Sequence, residues 1–176
     1  MHLLRRLAHR RRGDRFDAGQ GLAEFAIVLP IFLLVVFGMI DVGRVVWATD
    51  DITNAAREGA RYASIHGGSF LTSCPVGPGL SGTPATGCPA WSPDSKQPIR
   101  DATKAYFIAS GGSSTVWVCY YTTTSCSGDT DQSGVTNVRG TYVTVTVQST
   151  VPILTGRLLG LSGFTVNAHS TVLINN

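Results

Sequence analysis

The N-terminal part of the chain carries one long apolar run. Residues 25–40 read FAIVLPIFLLVVFGMI, and the nineteen-residue window that begins at Leu22 has Glu24 as its only ionisable residue. At about 1.5 Å per residue, a helix of that length is roughly 28 Å long, close to the thickness of the hydrocarbon layer of a bilayer. Membrane helices tolerate proline, so Pro30 predicts a kink and not an end. The pattern predicts a membrane span over about 22–40.

A helical period of small apolar residues continues beyond this run. From Val45 onward, one face of the helical wheel is apolar and the opposite face is polar. The apolar face consists of Ala48, Ile52, Ala55, Ala56, Gly59, Ala60 and Ala63, and the polar face of Asp50, Asn54, Arg57, Glu58 and Arg61. We therefore expect one helix from about Leu22 to about His66, with Gly67 and Gly68 as its stop. Its small residues suit close packing, either within the same molecule or against another helix.

A cleavable secretory signal is the alternative interpretation of the apolar run. The stretch VWATD offers valine and alanine at the separation that signal peptidase recognises, with a cut after Ala48. The run is longer than a usual signal core, and Asp41 and Arg44 lie shortly before that cut. Because the cut would also divide the amphipathic helix, we expect the segment to be retained.

The composition changes after this helix. Residues 67–98 are rich in Gly, Pro, Ser and Thr, which predicts a loop. In QPIRDATKAYFIASGG, Pro98 is a start signal, and Gly111 with Gly112 is a stop signal, so we expect a short helix over about 99–109.

Three stretches near the C-terminus have the composition and alternation of strands. They are TVWVCYYT at 115–122, TYVTVTVQST at 141–150 and FTVNAHSTVLI at 164–174. In the second, Val143, Val145 and Val147 alternate with threonines. The pattern predicts an α+β fold, with a long N-terminal helix, a short helix and a roughly three-stranded antiparallel sheet. The connection PILTGRLLGL is apolar, so we expect it to pack on the sheet or to lie near the membrane surface.

Positive charge is concentrated at the N-terminus. The first seventeen residues contain six arginines and two aspartates, whereas the rest of the chain has eight basic and nine acidic residues. This distribution argues against a nucleic-acid-binding surface. By the positive-inside rule, we expect the N-terminus to remain in the cytoplasm and everything after about residue 41 to be exported.

All four cysteines lie on the expected exported side. In an oxidising compartment, Cys74, Cys88, Cys119 and Cys126 predict two disulfides, for which three pairings are possible. We favour Cys74 with Cys88 and Cys119 with Cys126, because each pair is close in sequence and the second flanks an expected hairpin turn. A zinc site would need a C-x-x-C knuckle or histidines at matching spacing, which the sequence lacks. We therefore expect no metal.

The sequence offers no recognisable catalytic constellation. It has no Gly-rich phosphate loop, no metalloprotease helix motif and no nucleophile elbow. The histidines are scattered, with His2 and His9 in the leader, His66 at the helix end and His169 on the polar face of the last strand. The acidic residues suggest no carboxylate dyad. We expect no enzyme activity, no cofactor and no small-molecule substrate.

The basic leader and the segment after Gly19 resemble the precursors of type IV pilins. Glu24 follows the glycine by five residues, and Phe25 comes next. More specifically, GQGLAEFAIVLPIFLLVVFGMIDVGRVV and TNAAREGARYA are similar to the TadE-like family, the pseudopilins of the tight-adherence (Tad, or Flp) pilus. The resemblance is strong over residues 19–66 and loose over 141–174.

The resemblance implies that a prepilin peptidase removes the leader by cutting between Gly19 and Gln20. It further implies that Glu24 meets the new amino terminus of an adjoining pilin or pseudopilin during pilus assembly. A carboxylate in the middle of a bilayer costs about 2.5–3.5 kcal/mol, so such a partner offsets a real penalty. The family often has tyrosine where this chain has Phe25, which keeps the ring and loses the hydroxyl.

These observations predict a bacterial inner-membrane protein that crosses the membrane once, with a cytoplasmic N-terminus and an exported domain. Its expected partners are membrane lipid, the prepilin peptidase and other pilins of a Tad pilus. The expected organisation is a basic leader, a helix, a loop and an exported pilin-like α+β domain, at 1–19, 20–66, 67–98 and 99–176. The alternative is a permanently anchored, unprocessed envelope protein whose exported domain is a binding module.

Overall fold

The computed structural model describes residues 3–67, 76–79, 96–107, 113–126, 128–156, 160 and 162–175, with side chains from Gly19 onward. Its elements in chain order are α1 (Leu3–Ile65), α2 (Gln97–Ala105), β1 (Ser114–Tyr121), β2 (Tyr142–Val151) and β3 (Phe164–Leu173). The architecture is the predicted α+β fold. The chain divides into two compact units, Met1–Val42 and Gly43–Asn176, and α1 contributes residues to both.

The first unit consists of the N-terminal part of α1. The predicted start near Leu22 was wrong, since the helix begins at Leu3. The preceding stretch is rich in leucine, arginine and alanine and contains no proline, so its helix propensity is high. Pro30 lies inside the helix and does not end it. The apolar side chains that follow Leu22 are mostly exposed, including Phe32 at 59% and Met39 at 70%.

In the second unit, the remainder of α1 is amphipathic as predicted. Every residue of the predicted apolar face is buried, whereas the polar face is exposed except for half-buried Glu58. The helix ends at Ile65, one residue before the expected position. The ring of His66 stacks on Tyr62 with centroids 4.0 Å apart, and its Nδ1 lies 2.9 Å from the Tyr62 carbonyl oxygen.

The short helix α2 is present, but its predicted bounds of 99–109 were wrong. It begins at Gln97 because Pro98 lies in the first turn, where a helical N–H has no intrahelical acceptor. It ends at Ala105, where the backbone N–H groups of Tyr106 and Phe107 donate to residues three positions earlier and tighten the last turn. Residues 108–112, which include the expected glycine stop, lie outside the described residues.

The three strands form one antiparallel sheet in the order β1-β2-β3, and each lies within one residue of its predicted position. Val143, Val145 and Val147 are buried, and the intervening threonines face the other side, which confirms the predicted alternation. Their registers place Val118 opposite Val145 and Val147 opposite Ala168.

The core lies between the sheet and the apolar face of α1. Ile52, Ala56 and Ala60 belong to one buried cluster with the three valines of β2, and Ile99 of α2 joins them. The small-residue face of α1 therefore packs within the same molecule. In the apolar connection after β2, Ile153 is buried and Leu154 is 52% exposed. Residues 157–159 and 161 of that connection lie outside the described residues.

Candidate functional site

The predicted processing and assembly residues lie together on α1. Gly19, Gln20, Glu24 and Phe25 are all exposed. Gln20 Nε2 donates a hydrogen bond to Glu24 Oε1 at 3.3 Å, across one helical turn. A Cβ at Gly19 would meet no other atom within 4 Å. The structure thus brings Gln20 and Glu24 into contact on an uncovered helix surface.

A disulfide joins Cys119 and Cys126, the pairing that the sequence analysis favoured. The Cα atoms are 6.2 Å apart, and Cys119 is on β1 on the sheet face opposite the core. Cys74 and Cys88, the other favoured pair, lie outside the described residues. The expected hairpin turn at this disulfide was wrong, because none of the described residues between it and β2 forms a strand. The chain instead returns beside β1 without strand structure.

This returning segment, which includes residues 128–132, supplies polar atoms to the free edge of β1. The backbone N–H groups of Val118, Tyr120 and Thr122 donate to Asp129 Oδ1 at 2.9 Å, Asp131 Oδ1 at 2.8 Å and Gln132 Oε1 at 2.8 Å. Alternate N–H groups of an edge strand point away from the sheet, so the three acceptors follow the period of the strand.

Two cations from the α2 region neutralise these carboxylates. Lys96 Nζ lies 3.0 Å from Asp131 Oδ1 and donates to the backbone carbonyl of Asp129 at 2.6 Å. Arg100 forms an ion pair with the Asp129 carboxylate. No role was predicted for Asp129 and Asp131 from the sequence, so this arrangement was missed. Their i, i+2 spacing matches the strand period, but the spacing does not identify the strand whose N–H groups they accept.

The remaining ionisable groups do not converge on a common site in the described part of the chain. His66 is at the end of α1, and His169 is exposed on β3. No group of three or more His, Cys, Asp or Glu residues among the described positions could hold a metal ion.

Comparison with protein families shows which known proteins the N-terminal part of the chain is similar to. Residues 19–61 match the family model described as TadE-like protein. Over these residues the chain is similar to the TadE-like family. The match begins at Gly19 and extends through the apolar run into the amphipathic part of α1, which confirms the resemblance over this part of the chain. No curated protein and no solved structure matches the chain.

The match covers 43 of the 176 residues of the chain, and all of them lie in α1. Within the described residues, one helix, from Gly19 to Ile65, is long and apolar enough to cross a membrane. The family match and this helix together indicate a membrane-anchored protein.

Proposed function

We propose that this TadE-like protein is a minor pseudopilin, a structural component that acts in the assembly of a tight-adherence pilus. In this proposal, a prepilin peptidase first cuts the chain between Gly19 and Gln20 on the cytoplasmic side of the inner membrane. The observation that carries the proposal is the family match, which starts at Gly19, the residue before the proposed cut.

The charge distribution supports the proposed orientation. The arginine-rich leader precedes the apolar part of α1, and the positive-inside rule keeps such a segment in the cytoplasm. The disulfide between Cys119 and Cys126 is typical of a protein that folds in an oxidising compartment. The leader and the disulfide would then lie on opposite sides of the membrane.

Cleavage would give Glu24 a new electrostatic environment. Gln20 and Glu24 are one helical turn apart, which is about 6 Å along the axis, and their side chains already form a hydrogen bond. A cut before Gln20 creates a positive α-amino group and a helix N-terminus, and both favour a carboxylate in the first turn. The proposed role of Glu24 is to contact the amino terminus of an adjoining subunit, where the same attraction fixes the register between two helices.

The assembly role can be tested with Glu24→Ala and Glu24→Gln in the native organism. We expect membrane insertion and the N-terminal residue of the mature protein to remain unchanged, and the number of pili per cell to fall in both variants. Glu24→Gln keeps the size and hydrogen-bonding capacity, so a similar loss identifies the charge as the required property. Phe25→Tyr, which introduces the residue common in the family, is the matched control and should retain piliation. Normal pilus numbers in both Glu24 variants would contradict this role.

A further inference from the structure

The sheet has a concave face on the side opposite α1. The registers place Trp117 of β1 opposite Thr146 of β2, and Thr146 opposite His169 of β3. Adjacent strands are about 4.8 Å apart, so the backbones of Trp117 and His169 are roughly 10 Å apart with a short threonine between them. The side chains of Trp117 and His169 on the outer strands and the shorter ones of Thr144 and Thr146 on the middle strand form a trough. We name it the outer trough, with Trp117, Tyr121, Thr144, Thr146, Asn167 and His169 as its defining residues.

The disulfide supplies one wall of the outer trough. Cys119 lies on this face of β1, and its bond to Cys126 holds the following loop against the sheet. Ser125, Cys126 and Gly128 of that loop line the cavity. Its volume is about 540 Å³, which is within the range of roughly 300–1,000 Å³ that is usual for small-molecule sites.

The lining of the outer trough combines two aromatic rings with neutral polar groups. Among the described lining residues there is no Asp, Glu, Lys or Arg. Gln148 and Asn167, which are cross-strand partners, each offer an amide that both donates and accepts hydrogen bonds. The Thr144 and Thr171 hydroxyls lie 2.7 Å apart at the other end.

This lining discriminates between classes of ligand. A strongly charged ligand would find no opposite charge in the trough, and a wholly apolar ligand would cover the amides and hydroxyls without replacing their hydrogen bonds to water. A sugar ring has an apolar C–H face that fits an aromatic ring and hydroxyl groups that both donate and accept. Trp117 presents an apolar body with one N–H donor, and Tyr121 presents an apolar body with a hydroxyl.

We propose that the outer trough binds a neutral carbohydrate, a short stretch of an uncharged oligosaccharide or polysaccharide. In this proposal, Trp117 stacks on a sugar ring, and Gln148, Asn167 and His169 hydrogen-bond to its hydroxyl groups. This binding activity is additional to the proposed assembly role and does not depend on cleavage of the leader. A negative result for one proposal therefore does not contradict the other.

The test is calorimetric titration of the full chain in lipid nanodiscs, because glycoside detergents would occupy a sugar site. The probes are four neutral oligosaccharides, namely maltohexaose, cellohexaose, chitohexaose and mannohexaose. We expect at least one to bind with a Kd of about 1 mM or lower. Trp117→Ala should weaken that binding at least about tenfold. Trp47→Ala, which removes a 53% exposed tryptophan outside the trough, is the matched control and should leave it unchanged.

A second variant keeps the test independent of folding. Asn167 is exposed on edge strand β3, so Asn167→Ala should preserve the fold. Loss of one hydrogen bond of about 1 kcal/mol corresponds to roughly fivefold weaker binding.

Three results would overturn the proposal. The first is no binding of any of the four probes at about 10 mM, and the second is equal binding by the Trp117 and Trp47 variants. The third is tighter binding of polygalacturonate or of an extended peptide than of every neutral probe, which would assign the trough to an anionic polymer or to a protein segment.

Discussion

Asp131 and Tyr120 share a hydrogen bond that closes the free edge of the sheet. Asp131 Oδ1 accepts the backbone N–H of Tyr120 at 2.8 Å and also lies 3.0 Å from Lys96 Nζ. An uncovered edge strand is a template for pairing with another chain. In this protein, side-chain oxygens of the returning segment accept the outward N–H groups of Val118 and Tyr120, so this part of the edge is covered without an additional strand.

The hydrogen bonds that cover the edge of β1, which we call the edge cover, predict the effect of Asp131→Ala. The change removes the acceptor of the Tyr120 N–H and the carboxylate beside the largely buried Lys96, so we expect the free energy of unfolding to fall by about 1–3 kcal/mol. Hydrogen exchange of the full chain in nanodiscs should show faster exchange at the Tyr120 amide. Asp50→Ala, at an exposed position of α1, is the control and should have little effect. Unchanged exchange at Tyr120 in the Asp131 variant would show that the carboxylate does not protect the edge.

Gly59 sets the distance between α1 and its neighbours. A Cβ at this position would overlap Thr103 Oγ1 of α2 and lie 3.2 Å from Val145 Cγ1 of β2. Overpacking costs about 1–3 kcal/mol, more than the roughly 1 kcal/mol that alanine gains over glycine in a helix. We therefore expect Gly59→Ala to lower the thermal unfolding temperature.

Two further variants test this steric explanation. Gly43→Ala is the matched control, because its Cβ would meet nothing within 4 Å in the same helix, and it should stabilise the protein slightly. Gly59→Ala combined with Thr103→Ala should recover part of the loss. If Gly59→Ala is as stable as Gly43→Ala, the close approach of α2 does not require a glycine.

Periodicity was sufficient to predict the main elements from the sequence. The small-residue face of α1 and the alternating valines of β2 are local patterns, and each was confirmed residue by residue. The two helix boundaries that were wrong depend on weaker local signals. The arginine-rich stretch before Leu22 lacks an apolar period, and the position of Pro98 within the first turn of α2 is not fixed by the sequence.

The edge cover and the outer trough could not be predicted, because both depend on tertiary relationships. The contact of Asp131 with Tyr120 requires the path of the chain after the Cys119–Cys126 disulfide. The row of Trp117, Thr146 and His169 requires the registers of both strand pairs. A shift of one residue in either register would move a large side chain to the opposite face of the sheet.

Tyr120 provides a prediction of pH dependence. Its hydroxyl is buried without a hydrogen-bond partner among the described residues, and a Cβ at Gly77 would lie 2.7 Å from it. Burial, and secondarily the charge of Asp131, raises the pKa of Tyr120 far above its ordinary value. The folded state therefore keeps this proton while the unfolded state loses it above about pH 10. The contribution of protonated Tyr120 to the free energy of unfolding is therefore fully present below about pH 10. It declines as the pH rises toward the folded-state pKa.

The matching experiment compares Tyr120→Phe with the original protein in chemical unfolding. Below about pH 10, we expect the variant to be equally stable or slightly more stable, since the lost hydroxyl made no hydrogen bond among the described residues. Above about pH 10, the free energy of unfolding of the variant should rise relative to that of the original protein by about 1.4 kcal/mol for each pH unit. Tyr106→Phe, at a side chain that is 53% exposed, should follow the original curve. Parallel curves for Tyr120→Phe and the original protein would contradict the burial argument.

The proposed function requires that this protein is processed as a pilin precursor. The most direct measurement is the intact mass of the protein isolated from its native membrane, combined with identification of its N-terminal peptide. We expect a chain from Gln20 to Asn176, which is 157 residues after removal of 19 from the 176-residue precursor. A chain that still begins at Met1, or one that begins at Thr49 after a signal-peptidase cut, would contradict the account.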